Sequence, residues 1–140
     1  MSIEEAVRSY IRYYDDLRPE TVDGIDALVA PDVRFKDPFN DVRGRDKLRA
    51  IFADMFTVLQ APRFVVRDHA VSGRTAYLRW GFDFTLRGRA YNIEGMSEVR
   101  FDEAGLVVEH IDHWDAAEQV YEHIPGLGAL IRLVKRRMAH

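Results

Sequence analysis

The chain contains no cysteine. That absence removes disulfide staples, thiolate nucleophiles and cysteine-based zinc sites together, so the fold must be held by its core, as suits a reducing cytoplasm. A dominant charge is missing too. Twenty basic and 23 acidic side chains leave a formal net charge of -3, with a pI near 5.9. Nothing electrostatic therefore invites a nucleic acid. The 9 glycines and 5 prolines are scattered singly rather than gathered in a linker, and no internal repeat is found. Residues 1–140 thus read as a single domain. No window reaches the length of a membrane span, and Glu4 and Glu5 stand where a secretory signal would be basic, so a soluble, cytoplasmic protein is expected. There is no phosphate-binding glycine loop, GxSxG elbow or dinucleotide fingerprint. Covalent serine catalysis and nicotinamide chemistry drop out, and no cofactor is expected.

What is present is apolar: 47% hydrophobic and 11% aromatic residues, enough to bury a real core at this length. Ser2-x-x-Glu5 is a capping-box pattern. With Ile3, Ala6, Val7, Tyr10, Tyr13, Tyr14 and Leu17 at helical spacing, it predicts a first helix over 3–17 with an aromatic inner face. A short second helix follows over 22–29, stopped by Pro31 before a brief strand at 33–35 that ends at Asp37-Pro38. The recurrence of Leu48, Ile51, Phe52, Met55, Phe56 and Leu59 predicts an amphipathic helix over 45–59. Alternating runs at 64–71, 75–86, 90–101 and 106–114, joined by turn residues, predict an antiparallel meander. Residues 125–138 read as a basic amphipathic helix. It either docks on the core with its cations at the C-terminal end or touches a membrane surface, and docking is favoured. Helices followed by a meander give an α+β fold, and the hollow between a bent sheet and its helices is the expected ligand site.

Arg12-Tyr13, Asp23-Gly24-Ile25, Phe35-Lys36-Asp37-Pro38, Gly44-Arg45-Asp46, Gly88-Arg89 and Arg100-Phe101, in this order and spacing, resemble the nuclear transport factor 2-like superfamily. It includes ketosteroid isomerases, limonene epoxide hydrolase and the SnoaL-type polyketide cyclases. The resemblance spans residues 6–120. It implies a cone-shaped barrel of strongly curved, mainly antiparallel sheet packed on three N-terminal helices, with a C-terminal helix added. It also implies an enclosed pocket for a small apolar ligand and a homodimer formed sheet to sheet.

Against a ketosteroid isomerase, Asp37 falls on the proton-shuttling carboxylate, Tyr13 on the tyrosine that donates to the oxyanion, and Ser97 on the protonated acid that donates beside it. Each has a plainer reading. Asp37 can accept local backbone bonds at an Asp-Pro turn, and Tyr13 can be a core tyrosine with a satisfied hydroxyl. In the run Glu109-His110-Ile111-Asp112-His113-Trp114-Asp115, alternation puts His110, Asp112 and Trp114 on one face without saying which face is inside. Likeness to the limonene epoxide hydrolase strand implies that these three face inward, with Asp112 working on water or a ligand oxygen. Trp80, Phe82 and Phe84 then wall the pocket with Trp114. Paired with His110, Asp112 would either move a proton on an enolisable ligand or sit as a satisfied buried polar pair. Only one histidine faces inward, too few ligands for a metal, and none is expected. Two classes remain open: a cofactor-free isomerase, cyclase or hydratase-like enzyme acting on a carbonyl-containing or lipid-like molecule, or a binding module with the same cavity and no turnover.

Overall fold

The Ser2 hydroxyl accepts the Glu5 amide at 3.2 Å and starts helix α1, Ile3–Asp15, whose buried face is Ala6, Val7, Tyr10, Tyr13 and Tyr14. The computed structural model describes residues 2–120 and, beyond them, 126, 128, 130, 133, 136 and 137. The helix ends two residues earlier than its periodicity suggested, because the Asp16 amide turns back to the Arg12 and Tyr14 carbonyls; Leu17 is buried all the same.

The second helix is a 3-10 segment, Pro19–Ala27, rather than an α-helix. Val22 and Ile25, its buried residues, lie three apart and so share one face of a three-residue turn, while Gly24 weakens the α alternative. Of the three N-terminal helices expected, only the first and third are α-helical. Strand β1, Val29–Lys36, runs straight through Pro31, which was expected to stand before it. The proline falls in the register shift between Val29 and Arg34, where a missing N–H interrupts no ladder bond. A three-residue strand β2, Asp41–Arg43, pairs antiparallel with β1 and has no periodicity long enough to read in the sequence.

Helix α2, Arg45–Val58, buries Leu48 and Phe52. Its entry at Gly44 has φ 105°, a backbone conformation that side chains resist. Four long strands follow: β3 Gln60–Ser72, β4 Thr75–Leu86, β5 Arg89–Phe101 and β6 Val107–His113. A last turn of helix, α3, spans Ala116–Gln119. The helix expected at 125–138, with the membrane contact considered for it, lies for the most part outside the described residues. No described helix is long and apolar enough to cross a membrane.

One six-stranded sheet results, in the order β2-β1-β6-β5-β4-β3. All pairs are antiparallel except β1 with β6, which run parallel. The edge strands β2 and β3 do not pair with each other, so the sheet expected as a cone-shaped barrel is open and does not close on itself. Arg34 ties one edge across β1, bonding Asp41 at 3.0 Å and Glu109 at 3.4 Å. At the other edge the Asp15 carboxylate accepts the Val66 amide at 2.9 Å, fixing the end of α1 to β3. The core runs from α1 through α2 to the inner face of β4, β5 and β6, with Val7, Ile25, Leu48, Val99 and Val107 at most 1% exposed.

Candidate functional site

Strand alternation on β6 sends His110, Asp112 and Trp114 to one side, and that side faces a cavity of about 320 Å³. Glu109 goes the other way to Arg34, and His113 to Glu98 at 3.1 Å. The cavity lies between the sheet, α1 and α2. Trp80, Phe82 and Phe84 of β4 and Ser97 of β5 line it together with the β6 trio. Its wall is built of aromatic contacts: Phe64 stacks on Phe82 with centroids 4.2 Å apart, and Phe82 leans on Phe84 at 5.1 Å. Phe39, half exposed, meets Trp114 edge to face at 5.4 Å. On the same rim the Gln119 side-chain amide exchanges two hydrogen bonds with the Glu94 backbone, at 2.6 and 3.0 Å. That seats Val120 against the cavity.

A continuous hydrogen-bond chain crosses this apolar surface. Trp80 Nε1 donates to Ser97 Oγ at 2.8 Å, and Ser97 donates to Asp112 Oδ1. His110 Nε2 lies 2.6 Å from the same Oδ1, while its Nδ1 is 2.7 Å from the Tyr10 hydroxyl. Tyr10 in turn is 3.0 Å from the Tyr14 hydroxyl. Residues 10 and 14 meet because they are four apart on α1, and helix-to-sheet docking places the pair over His110. Among the described residues, every protein partner of Asp112 is on Oδ1, and Oδ2 takes none. Trp80 reaches Ser97 only because the residue opposite it is Gly95. A methyl group there would stand 2.7 Å from the indole and 3.0 Å from the His113 carbonyl.

Of the residues expected in the site, Asp37, His110, Asp112, Trp80, Phe82, Phe84, Ser97 and Trp114 line this one cavity. Asp37 is also bound into its turn: Oδ1 accepts the Phe39 and Asn40 amides at 2.8 and 2.7 Å, and both of its oxygens accept the Asn40 side chain. Tyr13 is not in the cavity wall. Its hydroxyl donates to the Val22 carbonyl at 2.8 Å, and its ring borders a surface cleft with Arg12 and Thr21. Tyr10 and Tyr14 are the members that sequence reasoning passed over. The signal available was their four-residue spacing on the aromatic face. No group of three or more His, Cys, Asp or Glu side chains among the described residues is placed to hold a metal ion.

Burial pushes the Tyr10 and Tyr14 hydroxyls well above the ordinary value of 10.0, and the Asp112 carboxylate adds to the effect. Below about pH 10 both states of the chain keep these protons and the stability is fully present. Above it the unfolded state ionises while the folded state does not, so stability falls as pH rises. We expect the denaturant midpoint to drop as pH rises from about 9 to about 11, the loss of unfolding free energy reaching about 1.4 kcal/mol by about pH 11 for each tyrosine held protonated. A midpoint that stays level across that span in Tyr10→Phe as in the unsubstituted protein would contradict the burial of these hydroxyls.

A model of the SnoaL-like domain matches residues 10–110. A comparison with curated protein sequences finds no match. Among solved structures, the chain is similar to an NTF2-like protein of unknown function from Burkholderia pseudomallei K96243. The TM-score is 0.73 and the identity 24%, over 86% of this chain and 96% of that one. A ketosteroid isomerase-like fold from Catenulispora acidiphila DSM 44928, solved with trimethylamine, gives 0.70 and 12%, covering 83% and 89%. An LEH-like epoxide hydrolase of M. tuberculosis gives 0.70 and 15%, covering 94% and 96%. At these identities the likeness is one of fold.

Proposed function

This chain belongs to the SnoaL-like domain family, and from that premise we propose that its cavity holds a small apolar carbonyl compound on which Asp112 moves a proton without a cofactor. One observation carries the reading: among the described residues all donors to Asp112 converge on Oδ1, and the residue lines the cavity with Oδ2 unpartnered. A carboxylate oriented through one oxygen and open at the other has the geometry of a general base. Oδ2 takes the proton from a carbon beside the carbonyl. The C–H electron pair becomes a C=C bond, and the carbonyl π pair moves onto oxygen. Where the enolate is conjugated, returning the proton to its far carbon isomerises the ligand; attack of the enolate carbon on a second carbonyl closes a ring as that carbonyl's π pair moves onto its oxygen, which takes the proton back from Asp112. Trp80, Phe82, Phe84 and Trp114 exclude water and hold the apolar body. Ser97 and His110 orient the base.

Asp37 faces the same ligand, but its oxygens also hold the turn of residues 37–40, so we assign it to the rim and give Asp112 the chemistry. The oxyanion role that the resemblance implied for Tyr13 conflicts with its bond to Val22. Pairing of two copies through the outer face of β4 and β5, where Tyr77 and Met96 are exposed, belongs to the same proposal, as does a cytoplasmic setting.

Mass spectrometry of whatever the purified protein carries tests the ligand class. A neutral, mainly apolar molecule with a ketone or ester is expected, and it should gain deuterium beside its carbonyl when incubated with the protein in heavy water. A polyanionic ligand would overturn the reading. A carbonyl ligand that gains no deuterium would leave a binding module in place of an enzyme.

A further inference from the structure

The hydrogen-bond chain has a direction, and His110 sets it. Trp80 Nε1 only donates, and Ser97, having accepted from it, gives its one hydrogen to Asp112 Oδ1. His110 Nε2 must donate to the same carboxylate oxygen. What varies is Nδ1. In the neutral imidazole it is an acceptor: Tyr10 donates to it, Tyr14 donates to Tyr10, and Tyr14 has only lone pairs left for the cavity it lines. In the imidazolium Nδ1 donates to Tyr10 and Tyr10 donates to Tyr14, so the Tyr14 hydrogen is released toward the cavity.

We propose that Tyr14 is the group that binds the ligand's oxygen, with Tyr10 and His110 as positioning residues that turn its hydroxyl from acceptor to donor when His110 gains a proton. The protonated form then takes a carbonyl ligand, and the neutral form takes a hydroxyl or enol. The inference deepens the Asp112 reading and rests on it only for an oxygen-bearing ligand. In the proton transfer drawn above, negative charge gathers on the ligand oxygen as Oδ2 takes the carbon-bound proton. Tyr14 donates a hydrogen bond to that oxygen and keeps its own proton. The titratable groups facing His110 are Tyr10 and Tyr14 from α1 and Asp112 from its own strand. Phe35 of β1 packs on its ring at 5.0 Å, and the β5 residue paired with it is Val99.

The test is equilibrium binding of 2-acetylnaphthalene, an acceptor only, against its hydrocarbon isostere 2-isopropylnaphthalene, from about pH 8 to about pH 5. Ketone preference should rise by about tenfold as pH falls, the weight of one hydrogen bond. Tyr14→Phe should erase the preference at every pH, and Tyr10→Phe should leave it independent of pH. Hydrocarbon affinity, the control for an intact cavity, should be unchanged in both. A preference that is absent or level with pH in the unsubstituted protein overturns the proposal. So does one that survives in Tyr14→Phe, or hydrocarbon affinity lost in parallel in both variants. Any of these would leave the Asp112 reading standing, since no turnover is measured.

Discussion

Asp112→Asn is expected to lower turnover of the carbonyl ligand by about two to four decades, the usual weight of a general base, with the fold retained. The substitution keeps the shape of the side chain, and its amide oxygen can still accept from Ser97 and His110, as Oδ1 does now. What changes is the other atom: an NH2 group replaces Oδ2, the Asp112 oxygen that has no partner among the described residues, and it cannot take a proton. Asp37→Asn makes the comparison. Its amide oxygen can go on accepting the Phe39 and Asn40 amides, so we expect a fall well under a decade if Asp37 serves the rim. Rates for both variants, measured beside their thermal midpoints, check the assignment. Equal losses in the two would divide the chemistry between the carboxylates, and undiminished turnover in Asp112→Asn would end the proposal.

The largest expected effect on stability is at Leu48. It is 0% exposed and sits on the buried stripe of α2 with Phe52. There the helix meets the 3-10 segment and β1. Leu48→Ala removes buried methyl groups from a place with rigid elements on both sides, where collapse into the gap is hindered. A loss of about 3 kcal/mol is expected, within the range of about 2–5 for such truncations. Val58→Ala, on the same helix but 63% exposed, should cost less than about 0.5 kcal/mol. Urea unfolding of the two variants measures the difference. A Leu48→Ala loss below about 1 kcal/mol would mean that α2 is not clamped between its neighbours as described.

Leu48 also marks where the sequence was easiest to read. Helices α1 and α2 and strands β4, β5 and β6 have buried positions and β3 turns partly buried Phe64 and Val66 to the core, so hydrophobic period identifies them within a few residues. Short elements carry no period. The short helix expected at 22–29 is a 3-10 segment over Pro19–Ala27, β2 gives no signal of its own, and Pro31, a stop signal in the sequence, lies inside β1 because a register shift accommodates it. The site divided in the same way. Alternation put His110, Asp112 and Trp114 together, but their inward orientation came from the family resemblance, since period 2 gives two faces without naming the buried one. Tyr13 and Tyr14 are sequence neighbours that both end up buried on α1. Which hydroxyl joins the cavity depends on how the helix docks on the sheet, and that is set by residues far from either tyrosine. For Asp37, the local Asp-Pro turn chemistry legible in the sequence is what its hydrogen bonds show.

The parallel pairing of β1 with β6 bears on when the site comes into being. Val29 lies beside Val107 and Phe35 beside His110, so joining these strands closes most of the chain into a loop, and such long-range pairing slows folding. On a ribosome, α1, α2 and β1 emerge early, carrying Tyr10 and Tyr14. They have no His110 to meet until the last strand has been made. Ligand binding and the donor chain therefore mature only when β6 takes its place between β1 and β5, and a chain released before β6 would lack His110, Asp112 and Trp114 together.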